Sequence, residues 1–150
     1  MRKTSLFIGT ITLFAIAAFA VGCGSAGNTA SNTPPAAAGK TIATGPAGNN
    51  LTATLANADG TLRKGKQEFT LSFTDASGKA VDVGSVALNF RMAAMGGMSE
   101  MNDGATFKTS GTPGSYKGKA DLAMAGDWQA QITYEGAAGK GAFSLPVSAK

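Results

Sequence analysis

The chain of 150 residues contains no histidine and a single cysteine, Cys23. Without imidazole there is no histidine general base, and the tetragonal nitrogen and oxygen donor set favoured by Cu(II) is hard to assemble. One cysteine closes no intramolecular disulfide and builds no multi-cysteine zinc or iron–sulfur site. Charge is sparse as well. Thirteen Lys and Arg stand against nine Asp and Glu, and setting aside Arg2 and Lys3 leaves eleven against nine, a net of +2. The one basic cluster, Arg63, Lys64 and Lys66, has no aromatic residues interleaved with it. It reads as a solvated turn, and no nucleic-acid partner is expected. Nucleophile elbows, Ser-x-x-Lys pairs and phosphate-binding glycine loops are missing from suitable contexts. Asp121 and Asp127 could act as acid and base, but nothing in the sequence puts them in a cleft. The expectation is a protein that is not an enzyme.

What the chain does contain is methionine in an unusual place. Four of its six methionines lie at three-residue intervals in Met92-Ala-Ala-Met95-Gly-Gly-Met98-Ser-Glu-Met101. Thioether sulfur is neutral, soft and polarizable, so converging methionines suit Cu(I) or Ag(I) and bind Zn(II), Mg(II) or Ca(II) poorly. The competing reading is packing, since the unbranched methionine side chain fills irregular gaps in a core.

The first 22 residues have the form of an export signal. Arg2 and Lys3 give a basic start, Leu6 to Ala20 is almost wholly apolar, and Ala20-Val21-Gly22-Cys23 closes the run. The run is shorter than the roughly 20 residues of a spanning helix. Gly22 before Cys23 resembles a bacterial lipoprotein box, although Ala20 stands where leucine is commonest. That resemblance implies acylation of Cys23 and a membrane contact through its lipid. Buried acyl methylenes would supply the anchoring. The alternative is a plain secretory signal cleaved near Ala18-Phe-Ala20 that leaves a free thiol. The expected location is extracytoplasmic and lipid-anchored. Gly24 carries no aspartate retention signal, so this means the outer membrane facing the periplasm if the host has two membranes.

Residues 23–49 are dominated by Gly, Ala, Ser, Thr, Asn and Pro, a composition that buries too little apolar area to offset ordering entropy. A flexible tether is expected there, spanning on the order of 25 to 30 Å. Residues 50–150 suffice for one domain. Strict alternation runs through them: Leu51, Ala53, Leu55; Phe69, Leu71, Phe73; Val86, Leu88, Phe90, Met92; Tyr116 to Met124; Trp128 to Tyr134; and Phe143, Leu145, Val147. Turn residues separate these runs, as in Asn57-Ala-Asp-Gly60 and Asp75-Ala-Ser-Gly78. The pattern predicts an all-β, immunoglobulin-like antiparallel sandwich of about seven strands without a disulfide.

Several segments together resemble a family. Gly65-Lys-Gln-Glu-Phe-Thr-Leu-Ser-Phe, Val86-Ala-Leu-Asn-Phe-Arg-Met-Ala-Ala-Met, Gly114-Ser-Tyr-Lys-Gly and Leu122-Ala-Met-Ala-Gly-Asp-Trp are similar to the YtkA-like domain and to the periplasmic part of FixH-type proteins. The resemblance implies an extracytoplasmic β-sandwich, in some members associated with copper transport or cytochrome oxidase assembly. A copper-handling or oxidase-assembly protein is then an expected partner. Arg91 and Ala93 depart from the family pattern around Met92, where many relatives carry Met-Pro before the second methionine.

The candidate metal ligands are Met95, Met98 and Met101, with Met92 and Met124 as further members. Met92 continues the inward parity of Phe90, which favours core packing over ligation. Gly96 and Gly97 are expected to break the strand and leave Met95, Met98 and Met101 on a mobile excursion running to Gly104. Trp128 reads either as a core aromatic or as a ring covering a bound cation. Two functions follow. One is a membrane-tethered Cu(I) carrier, buffer or metallation accessory, with Cu(I) its only expected cofactor. The other is an adaptor whose methionine loop docks onto a membrane complex such as a transporter or oxidase.

Overall fold

Alternation of period two becomes two antiparallel sheets in the computed structural model, which describes residues 39–150. The expectations for the leader, for Cys23 and for the tether as far as residue 38 lie outside the described residues. The nine strands are β1 (Lys40–Gly48), β2 (Leu51–Asn57), β3 (Gly65–Thr74), β4 (Ser85–Met92), β5 (Met101–Gly104), β6 (Thr106–Thr109), β7 (Ser115–Leu122), β8 (Gly126–Gly136) and β9 (Gly139–Ala149). One sheet has the order β1-β2-β3-β7-β6 and the other β5-β4-β8-β9. Together they form the expected all-β sandwich, with nine strands in place of about seven.

β8 shows why the sequence folds this way. Trp128, Ala130, Ile132 and Tyr134 are buried while Asp127, Gln129, Gln131 and Thr133 are exposed, so one face enters the core and the other meets water. Leu55, Leu71 and Phe73 from the first sheet meet Phe90, Trp128 and Ile132 from the second in one continuous core. Each such large side chain contributes about 1.5 to 3 kcal/mol through removal from water. Phe69 and Phe90 join the two layers edge to face, with ring centroids 5.8 Å apart.

The polar ends of two core tyrosines are satisfied. The Tyr116 hydroxyl donates to Asp82 Oδ1 at 2.8 Å and accepts from the Val83 amide at 3.0 Å. The Tyr134 hydroxyl donates to the Ala47 carbonyl and accepts from Asn49 Nδ2, both at 3.1 Å. Turn residues act as their chemistry predicts. Asn57 Oδ1 accepts from the amides of Asp59, Gly60 and Thr61, and Asp75 Oδ1 accepts from those of Ser77 and Lys79.

Three strands go beyond the alternating runs. β1 occupies Lys40–Gly48, inside the stretch expected to be tether, so the folded part begins about ten residues before Asn50. Its small residues have little apolar area, and the ladder to β2 is what orders them. Their size is also needed, because a Cβ on Gly45 would come within 2.7 Å of Leu145 Cδ2 on β9. Pro46 is tolerated because β1 is an edge strand. β5 and β6 have four residues each and form one edge of each sheet on either side of Ala105, where the chain passes from one sheet to the other.

One end of the sandwich gathers several features. Lys40 pairs with Asn57, Leu62 bridges Ala149, Gly65 pairs with Leu122, and Gly126 pairs with Ala149. Arg91 pairs with Gln129, so β4 finishes at this same end. The entry into β1, the C-terminal residue and the methionine segment are thus neighbours along the long axis.

Candidate functional site

The methionine segment is a β-hairpin. β4 and β5 pair through Asn89–Gly104, Phe90–Asp103, Arg91–Asn102 and Met92–Met101. The same register continues to an isolated bridge between Met95 and Met98, whose amides and carbonyls exchange bonds of 3.2 and 2.8 Å. Gly96 and Gly97 fill the two central turn positions with φ of 52° and 92°, a combination that favours residues without a side chain. Gly96 and Gly97 interrupt the strand as expected, whereas the loop expected to run to Gly104 ends before Met101. The glycines close a hairpin, and Met101–Gly104 is strand β5.

This register sorts the methionines into two sets. Met95 and Met98 stand opposite each other at the tip, 54% and 45% exposed. Opposed residues in an antiparallel pair share a face, with Cβ atoms about 4.5 to 5.5 Å apart. Met92 and Met101 form the next methionine pair toward the body. Met92 is only 3% exposed, while Met101 and Met124 are partly buried against the core. A Cβ on Gly126 would lie 2.9 Å from Met92 Cε, and Asp103 Oδ2 accepts from the Ala123 amide at 2.9 Å. The turn bearing Met124 therefore lies beside the base of the hairpin.

Met101, expected to act with Met95 and Met98, belongs by register with Met92. Trp128 is 1% exposed, and its Nε1 donates to the Met124 carbonyl at 3.2 Å. Its ring is core, and its indole N–H holds the Met124 turn in place.

Charge around the hairpin is locally neutralised. Arg91 Nη2 binds Glu100 Oε2 at 2.5 Å, and Asn102 Nδ2 donates to Glu100 Oε1 at 3.0 Å. Arg91 and Asn102 together pull the Glu100 carboxyl down to about 2. Residues 92–99 carry no charge at all. Among the described residues, no group of three or more His, Cys, Asp or Glu is placed to hold a metal. No helix among the described residues is long and apolar enough to cross a membrane.

These features define a small all-β sandwich domain that projects a methionine hairpin from one end. The chain belongs to the YtkA-like family, whose family model matches residues 47–133. The match takes in the hairpin and the turn bearing Met124 and stops before β9. No curated protein matches this chain.

Proposed function

We propose that this protein is an extracytoplasmic, membrane-tethered Cu(I)-binding protein, acting as a carrier, buffer or metallation accessory without catalysis of its own. The observation that carries the reading is the Met95–Met98 pair, two exposed thioethers held opposite one another by a tight turn. Exposing two large apolar side chains at a protruding tip has a cost in water, and a soft ion gives that exposure a use. Met92, Met101 and Met124 form a more sheltered set behind the tip, toward which an ion could pass by stepwise exchange of thioethers. Tethering rests on the lipoprotein-like Ala20-Val21-Gly22-Cys23 sequence. A copper-handling or oxidase-assembly protein is the partner such a carrier would serve.

A second reading draws on the same exposure. Among the described residues, Met95 and Met98 are the exposed large hydrophobic side chains, and a methionine tip also suits docking onto a membrane complex. Anaerobic titration with Cu(I) against a competing chelator separates the two, using a Cys23→Ala chain so that no thiol competes. Tight binding that disappears in a Met95→Leu, Met98→Leu, Met101→Leu variant is the expected result. Equal, weak binding by both chains would sink the copper reading and leave docking.

A further inference from the structure

The tip supplies too few donors for the ion it would hold. Thioethers are neutral, soft donors, and a soft monovalent ion held by two of them alone keeps coordination positions open. At the tip there are two. Met101 is turned to the body of the sandwich as the partner of Met92. The Glu100 carboxylate is occupied by Arg91 and Asn102, and that of Asp103 by the Ala123 amide. No histidine exists to complete the set.

The tip is also open. All residues from 93 to 100 are exposed, and a Cβ built on Gly96 or Gly97 would meet nothing within 4 Å. No charge lies between Met92 and Ser99 to repel an identical surface. A two-fold contact presents the same patch on both copies, so Met95 of one copy can face Met98 of the other and the reverse.

We propose that a second copy of this chain completes the site, with two hairpin tips giving four thioethers to one soft monovalent ion. This rests on the Cu(I) reading above and deepens it. The tips alone bury far less than the roughly 1,000 Å² of a stable protein interface, so the pair forms only around the metal. Both copies would then be metal-bridged, and the sheltered set of Met92, Met101 and Met124 would receive the ion when the pair separates.

Silver(I) is an air-stable probe of the same softness. The experiment is native mass spectrometry with sedimentation velocity on the full Cys23→Ala chain, titrated with Ag(I), beside a Met95→Leu, Met98→Leu variant. The expected result is a monomer without metal, a dimer holding one ion at a ratio of one Ag(I) to two chains, and return to monomer when a strong silver chelator is added. The variant should show at least a tenfold weaker tendency to dimerise while keeping an unchanged far-ultraviolet spectrum and melting temperature. A monomer binding one ion per chain overturns the shared site but leaves the Cu(I) function standing. Absence of binding overturns both, and a dimer that persists in the variant or without metal overturns the tip as its cause.

Discussion

Replacing Tyr116 by Phe tests how β7 holds the connection between β3 and β4 at the end away from the methionines. The substitution removes a hydroxyl that donates to Asp82 Oδ1 and accepts from the Val83 amide. Val83 is fully buried, so its N–H is left without a partner, which costs about 1 to 3 kcal/mol. For a folded unit of this size that lowers the melting temperature by about 3 to 5 °C per kcal/mol. A second signature lies at high pH. Burial, and then the Asp82 carboxylate, push the Tyr116 phenol from 10.0 up to about 12. A raised pKa means that its stabilising contribution is whole below about pH 10 and is lost as the pH climbs through 12. A two-unit shift corresponds to at most about 2.7 kcal/mol, and water screening beside exposed Asp82 reduces this to about 1 to 2 kcal/mol. Urea unfolding of both proteins at pH 7, 9, 10, 11 and 12 should therefore show a stability gap at pH 7 that narrows above pH 10. Equal stability at pH 7, or a gap constant from pH 9 to 12, would refute the reasoning.

Met92 separates packing from ligation, because Met92→Ala should cost about 2 to 5 kcal/mol in urea unfolding whereas the near-isosteric Met92→Leu costs less than about 1.5 kcal/mol. A loss below about 1 kcal/mol in the alanine variant would mean that the side chain is not the core element its burial indicates. Glu100 should titrate by NMR at about 2, and in an Arg91→Ala variant its midpoint should return toward 4.5. With the folded pKa depressed, its contribution is present above about pH 4.5 and fades as the pH falls toward 2. A wild-type midpoint near 4.5 would remove the ion pair from the base of the hairpin.

The sequence was readable wherever one face of a strand enters the core. β2, β3, β4, β7, β8 and β9 announce themselves because every second residue is large and apolar or small at a close contact. β1 was hidden because its order comes from the ladder to β2 and from the close approach of Gly45 to Leu145, neither of which leaves a hydrophobic pattern. β5 and β6 were hidden because four-residue edge strands such as Met101-Asn-Asp-Gly104 have too few positions to show alternation. The hairpin carries its own signal in the sequence. A Gly-Gly pair between strand-like residues is a two-residue turn as much as a break, and its position at the centre of four methionines fixes which of them face each other. Spacing along the chain suggested a trio of Met95, Met98 and Met101. Register across the hairpin yields two pairs, with Met124 brought in by the contacts its turn makes with Met92 of β4 and Asp103 of β5.

The end at which Lys150 leaves β9 is the end that carries the methionine hairpin. A polyhistidine purification tag added after Lys150 would hang within reach of Met95 and Met98, giving imidazole to a chain that has none of its own. Such a tag would recruit Cu(II) and supply the donors missing at the tip, and a titration would then report the tag. The opposite end, around the turn Gly136–Gly139 that joins β8 and β9, is where a fluorophore or affinity handle can be inserted without entering the coordination sphere.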